Sequence, residues 1–243
     1  MTTRIGIYGS EGRMGRAIAA IAAEEGAIVA GGVDARDDPA PLARAADVLV
    51  DFSTAGALEA HLAAATAAGT PIVIGTTGLT PAHHALIDRA AEKIAVLQTG
   101  NTSLGVTLLA VLVREAAQRL GPEWDIEIAE MHHRHKVDAP SGTATLLGEA
   151  AAAGRNTALG EVRVDSRAGL IGARTEGTIG FASLRGGSVV GDHMVVFAGE
   201  GERIELGHRG EDRSIFARGA VKAALWLAGK PAGRYHMAEV LGL

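Results

Sequence analysis

The stretch Arg4-Ile5-Gly6-Ile7-Tyr8-Gly9-Ser10-Glu11-Gly12-Arg13-Met14-Gly15 decides the fold. Its first residues form a short β-rich run, its last seven place glycines three residues apart, and an Ala-rich helical stretch to about residue 25 follows at once. A strand that passes through a glycine turn into a helix opens a βαβ unit. Glycine in such a turn lets the backbone approach a pyrophosphate, and the free N–H groups of the helix start offset its negative charge. The spacing is G-x-x-G-x-x-G rather than G-x-G-x-x-G, so a plain tight strand-to-helix turn stands as the alternative reading of these residues alone.

Working outward, further strand-like runs at 28–33, 47–52, 71–75 and 94–98 alternate with helical stretches near 57–68 and 81–93. This alternation predicts a parallel sheet covered on both faces. The second run ends at Asp34, 19 residues after Gly15, where a carboxylate accepts hydrogen bonds from adenosine ribose hydroxyls and favours NAD. Arg13 and Arg36 are placed to pair with the 2′-phosphate of NADP, so both cofactors stay open. A turn residue is the simpler alternative for Asp34. Gly75-Thr76-Thr77-Gly78 and Thr99-Gly100-Asn101-Thr102-Ser103 leave the C-terminal ends of the fourth and fifth strands, the edge at which open α/β sheets bind ligands. Each loop reads equally well as a helix cap.

Past Gln98 the pattern changes to a long apolar helix at 105–120, a strand at 125–131, a polar loop, and a short helix starting at Ser141-Gly142-Thr143. Strand-like runs follow over 162–206, with Gly186-Gly187 and Gly199-Glu200-Gly201 as hairpin turns. A final helix at 214–229, with Ile215, Ala220, Ala223, Ala224 and Leu227 on one side, is expected to return to the first domain. The expectation is an α/β dinucleotide-binding domain of residues 1–103 plus 214–243, and a second α+β domain of residues 104–213.

Composition narrows the function. With 47 Ala and 33 Gly, about a third of the 243 residues are small, which suits close helix packing on a sheet. The absence of Cys removes disulfides, thiolate nucleophiles and Cys-based metal centres, and suits a reducing compartment. The N-terminal residues offer no apolar run of signal-peptide length, and the apolar segment 106–113 is too short to span a bilayer. A cytoplasmic protein is expected. A net charge of -5 gives no general attraction to nucleic acid or an anionic membrane.

The segment Glu130-Met131-His132-His133-Arg134-His135-Lys136-Val137-Asp138-Ala139-Pro140-Ser141-Gly142-Thr143 carries the chemistry. Three of the nine histidines and two cations crowd into five residues, a costly grouping unless an anion offsets the repulsion. Ser141 caps a helix whose first N–H groups, on Gly142 and Thr143, suit a carboxylate. A cationic loop joined to a helix start accommodates a small dicarboxylate. A metal site is disfavoured, because consecutive residues rarely close a tetrahedral set and Arg134 and Lys136 repel a divalent cation.

The glycine turn 9–15, the Gly75–Gly78 loop, the run 132–143 and the downstream Gly177-Thr178-Ile179-Gly180-Phe181-Ala182-Ser183-Leu184-Arg185-Gly186-Gly187 together closely resemble the dihydrodipicolinate reductases, nearly end to end. The resemblance implies reduction of 4-hydroxy-tetrahydrodipicolinate (dihydrodipicolinate) to tetrahydrodipicolinate by NADH or NADPH in lysine and diaminopimelate synthesis. It implies a Rossmann-like domain hinged to a substrate-binding domain whose sheets assemble a homotetramer. Carried over by position, His132 is the acid/base residue and Lys136 the proton donor. His133, Ser141, Gly142 and Thr143 hold the substrate carboxylates. The cofactor contacts are Gly9, Ser10, Glu11, Gly12, Arg13, Met14, Asp34, Gly75, Thr76, Thr77, Thr99, Gly100, Asn101 and Thr102, and no metal is implied. This chain departs from the pattern at Ala35, where many members have a basic residue, and at Gly100 and Thr102 beside Asn101.

Overall fold

Short apolar runs bounded by turn residues build the first sheet. In the computed structural model, which describes residues 2–243, the chain opens with β1 (Thr3–Tyr8), α1 (Arg13–Ala22), β2 (Ala27–Val33), α2 (Pro39–Ala45), β3 (Val48–Asp51), α3 (Leu58–Ala68), β4 (Ile72–Ile74), α4 (Pro81–Ala91) and β5 (Ala95–Gln98). It continues through α5 (Leu104–Leu120), β6 (Asp125–His132), α6 (Gly142–Gly154), α7 (Leu159–Val162), β7 (Arg163–Asp165), β8 (Ile179–Arg185), β9 (Gly191–Gly199) and β10 (Glu202–Gly210). It ends in α8 (Ser214–Leu227), β11 (Gly233–Tyr235) and α9 (Met237–Val240). Two compact units result, one of the residues up to Leu104 with Ser214–Leu243, the other of Gly105–Arg213.

The first unit is a Rossmann-like parallel sheet in the order β11-β5-β4-β3-β1-β2. Ile18 and Ile21 of α1 and the Ala217-to-Leu227 face of α8 cover one side; Leu42, Leu58, Leu62 and Ile87 of α2, α3 and α4 cover the other. Burial on both faces explains why Val48-Leu49-Val50 and Ile72-Val73-Ile74 are continuously apolar rather than alternating. Each such Leu or Ile, fully buried, contributes roughly 2 kcal/mol. A small residue lets α8 come close to the loop after β5: a Cβ on Gly219 would lie 1.7 Å from the Thr102 carbonyl oxygen.

The second unit is a mixed sheet in the order β10-β9-β6-β8-β7, with β6, β7 and β8 parallel to one another and β9 antiparallel to both β6 and β10. Along β6 the residues Ile126, Ile128, Glu130 and His132 are buried while their neighbours are only half-buried. The first two join Leu109 and Val113 of α5 and Leu147 of α6 in the core. The last two are polar, and end the apolar face of the strand.

Several elements differ from expectation. Gly186-Gly187 is not a hairpin turn, because β6 lies between β8 and β9; the loop crosses the end of β6, with the Gly186 N–H donating to the His132 carbonyl (2.9 Å). Gly199-Glu200-Gly201 does join a hairpin, β9 to β10, with Gly201 at φ +77. On α8, Ile215 is only half-buried, and Ala217 and Val221 take its place in the core. β7 opens the strand-like region expected from residue 162, whereas the short elements α2, α7, β11 and α9 were not anticipated. Two prolines obscure α2, yet both fall in its first turn, where no amide partner is needed, and Asp38 caps it by accepting from the Ala40 N–H (2.9 Å).

Candidate active site

In the first unit, β1 runs into the glycine turn because Gly9 adopts φ +80, a conformation that disfavours any side chain. A Cβ on Gly15 would lie 2.3 Å from the Gly9 carbonyl oxygen, so α1 sits hard against the turn. Gly12 caps α1 without a side-chain bond, and no acidic residue occupies its first turn. The helix start therefore fits a phosphate.

Beside the turn lies a cleft of about 440 Å³ at the C-terminal ends of the strands, where the sheet order reverses between β1 and β3. Arg13, Met14, Gly75, Thr76, Thr77, Thr99, Gly100, Asn101 and Thr102 line it. Gly9, Ser10, Glu11, Gly12 and Asp34 lie in the turn and at the end of β2, outside that lining. The Asp34 carboxylate accepts from the Ser10 hydroxyl (2.5 Å) and from the Glu11 N–H (3.1 and 3.2 Å). Thr99 and Asn101 pin their own loop, since the Asn101 N–H donates to the Thr99 hydroxyl (3.1 Å) and the Ser103 N–H to the Asn101 side-chain oxygen (2.8 Å).

Phe52, Ser53 and Phe216 also line the cleft and were missed. The edge rule applied to the fourth and fifth strands, extended to the third, finds the first two. Beneath them the fully buried Asp51 carboxylate accepts from the Ser53 N–H (3.0 Å), the Ser53 hydroxyl (2.6 Å) and the Thr76 hydroxyl (3.1 Å), and pairs with His61 Nδ1 (2.8 Å). The floor of the cleft is thus tied to one carboxylate. His61 in turn stacks on Tyr8, whose hydroxyl is held far above its ordinary pKa by burial and then by Asp51 and Asp38.

In the second unit, His132 is the last residue of β6 and turns inward beside Glu130. His132 Nδ1 lies 2.6 Å from Glu130 Oε2, while Arg185 donates through Nη1 to Oε2 (2.8 Å) and through Nη2 to Oε1 (2.9 Å). The Ser141 N–H also donates to Oε1 (3.2 Å). Burial raises the Glu130 pKa, but the bonds from Arg185 and His132 outweigh it and hold the carboxyl below its ordinary value. An ionised Glu130 places the His132 proton on Nδ1 and leaves Nε2 to exchange protons. A Cβ on Gly191 would come within 3.0 Å of that Nε2, so glycine keeps the space beside it.

Residues 133–141 form a loop. The Lys136 ammonium rests on both oxygens of Asp138 (2.7 and 2.8 Å), which lowers the Asp138 pKa. His133 Nε2 lies 3.3 Å from an Arg213 nitrogen, and lost hydration with the nearby Arg213 and His135 charges lowers its pKa. Ser141 begins α6 by accepting from the Ala144 N–H (3.1 Å), leaving exposed Gly142 and half-buried Thr143 at the helix start. Among the described residues no group of three or more His, Asp or Glu side chains is placed to hold a metal ion.

Family models for both halves of dihydrodipicolinate reductase match, the N-terminus over residues 3–102 and the C-terminus over 105–241. The chain belongs to the dihydrodipicolinate reductase family. It is 57% identical over 249 residues to a 4-hydroxy-tetrahydrodipicolinate reductase of Zymomonas mobilis subsp. mobilis, covering 100% of this chain and 98% of that one. A protein of the same name from Methylocella silvestris is 53% identical over 264 residues, covering 99% and 97%. The solved dihydrodipicolinate reductase from Paenisporosarcina sp. TG-14, with dipicolinate bound, shares the fold at a TM-score of 0.78 and 23% identity, covering 97% of this chain and 98% of that one.

This member of the dihydrodipicolinate reductase family carries further buried and half-buried groups that the sequence did not single out. In the sequence Glu130 stands out only as the start of the basic run and Arg185 only as part of a glycine-rich motif. His193 on β9 was missed altogether. It lies opposite Glu130 in the sheet, and its Nε2 is 3.0 Å from the Ser141 hydroxyl. Burial, then the charge on His132, push its pKa down to about 4 despite the opposing pull of Glu130. In the unfolded chain the same imidazole titrates near 6.5. Stability is therefore expected to be full above about pH 6.5 and to fall as pH drops towards 4, by about 3 kcal/mol from this group. His208, also lowered by burial, acts in the same direction. Denaturant midpoints measured from pH 7 to 4 should fall less steeply in His193→Gln than in the parent; equal slopes would remove His193 as a source of the loss.

Proposed function

We propose that this chain reduces 4-hydroxy-tetrahydrodipicolinate, with loss of water, to tetrahydrodipicolinate, using NADH or NADPH, in lysine and diaminopimelate synthesis. The observation that carries this reading is a likeness running the full length of a named 4-hydroxy-tetrahydrodipicolinate reductase, in a chain where a carboxylate-oriented histidine adjoins a cationic loop and a helix start. The first unit is the dinucleotide-binding domain, and the second binds substrate and assembles the tetramer.

When bound, the reduced nicotinamide supplies a hydride to the ring of the substrate. The glycine turn and the start of α1 hold the pyrophosphate, Asp34 the adenosine ribose, and the loops at 75–77 and 99–102 the nicotinamide end. Gly142 and Thr143 donate to a substrate carboxylate with Ser141 and His133 beside them. His132 exchanges a proton through Nε2, and Lys136 leaves Asp138 to stabilise the negative charge that hydride addition builds and to donate the balancing proton.

A direct test generates the unstable substrate in place from pyruvate and aspartate semialdehyde and follows the loss of reduced-nicotinamide absorbance. Consumption that depends on both precursors supports the reading, and none at any enzyme concentration rejects it. Gly15→Ala, whose new methyl meets the Gly9 carbonyl, is expected to weaken NADH binding by roughly tenfold or more. Titration of nicotinamide fluorescence checks this, and wild-type affinity would detach the turn from the cofactor.

A cytoplasmic homotetramer without nucleic-acid or membrane partners completes the reading. Support comes from the sheet of the second unit, where Leu184 and Ile204 are exposed and Met131, Leu184 and Met194 line a depression of about 420 Å³. No helix among the described residues is long and apolar enough to cross a membrane. Sedimentation equilibrium gives the subunit number.

A further inference from the structure

We infer that Ser10 sets coenzyme choice by locking the Asp34 carboxylate in place, so that the chain takes NADH in preference to NADPH. The inference rests on the proposed reductase reading and concerns which of its two cofactors the site favours.

Three observations carry it. The Ser10 hydroxyl donates to Asp34 Oδ2 at 2.5 Å, and the Glu11 N–H donates to both carboxylate oxygens at 3.1 and 3.2 Å. The backbone on the other side of the carboxylate is held as well, because the Asp34 N–H donates to Asp37 Oδ2 (2.9 Å). The lock needs a glycine beneath it: a Cβ on Gly32 of β2 would lie 2.3 Å from both Ser10 Cβ and Oγ.

The consequence is electrostatic. A carboxylate at the end of the second strand accepts from ribose hydroxyls, but it repels the dianionic phosphate that NADPH carries at the same place. An Asp with free rotamers can swing aside to admit that phosphate. One tied by a charge-assisted bond from a side chain and another from the backbone cannot do so without breaking them. The surrounding charge does not rescue the phosphate. Arg13 and Arg36 share these short stretches of chain with Glu11, Asp34, Asp37 and Asp38, so acids outnumber bases. Serine offers the hydroxyl without displacing the turn, and acts on NADPH through Asp34.

Equilibrium titration with NADH and with NADPH, followed by nicotinamide fluorescence, tests this on the full chain and on S10A, D34A and the double variant. The ratio Kd(NADPH)/Kd(NADH) is expected to be roughly tenfold in the parent and to fall at least about threefold in S10A, chiefly through tighter NADPH binding. In the D34A background S10A should leave the ratio unchanged, since the residue it acts through is gone. An unchanged ratio in S10A, or an equal change with and without Asp34, overturns the lock. The reductase reading is tested separately by precursor-dependent consumption of reduced nicotinamide, so the two failures are distinguishable.

Discussion

His132→Ala and Lys136→Ala are each expected to lower kcat by roughly a hundredfold or more while NADH still binds. The expectation follows from where the two side chains act. Nε2 of His132 is the ring nitrogen left to exchange protons once Glu130 engages Nδ1 (2.6 Å), and the Lys136 ammonium is held ready on a neighbouring carboxylate rather than buried in the core. In the proposed roles both contribute most when charge develops on the substrate, so their loss is expected to fall on turnover. Thr143→Val should differ. It removes one hydroxyl from the proposed carboxylate site but leaves the N–H groups at the start of α6, so KM should rise and kcat change little. Steady-state kinetics on the three variants, each first shown to fold and to bind NADH, decide the matter. Full turnover in both the His132 and Lys136 variants would falsify the acid/base assignment and leave the loop as an anion site alone.

Periodic and punctuated signals carried most of the fold. The alternation of strands and helices up to Gln98 is visible because buried parallel strands must be continuously apolar and their helices Ala-rich. What escaped had little signal of its own. β11 is only three residues, Gly233-Arg234-Tyr235, and exists because it adds in parallel to β5. Gly186-Gly187 looks like a hairpin turn locally, and only the insertion of β6 between β8 and β9 makes it a crossing loop. The same limit applies to the site. Glycine turns, threonine-rich loops and the basic run are contiguous and therefore readable. The groups beneath them are assembled across the sheet: Glu130 meets His193 and, 55 residues away, Arg185. A single buried acid in a strand and a lone arginine carry no local mark of that pairing.

That pairing makes the second large prediction, on Arg185→Met and Glu130→Gln. Glu130 is 2% exposed, and the Arg185 fork supplies the permanent positive charge against it. Arg185→Met leaves the carboxylate buried with His132 and the Ser141 N–H, and should destabilise the fold by about 3 kcal/mol at pH 7. Because the folded pKa of Glu130 lies below the ordinary 4.5, its stabilising contribution is present above that pH and is lost as pH falls through the lowered value. The Arg185 variant should therefore lose less on acidification than the parent does. Glu130→Gln keeps the shape but brings an amide donor where His132 and Arg185 both donate. Relieving that clash favours the tautomer with the proton on Nε2, which can no longer accept one, so kcat should fall by roughly a hundredfold or more, in the direction known when an orienting carboxylate becomes an amide. Nitrogen NMR of the imidazole separates this from simple loosening: the expected signature is a proton moved from Nδ1 to Nε2 in a folded protein. A Glu130→Gln variant with parental kcat and an unmoved proton would show that the carboxylate holds the strand end together without governing His132.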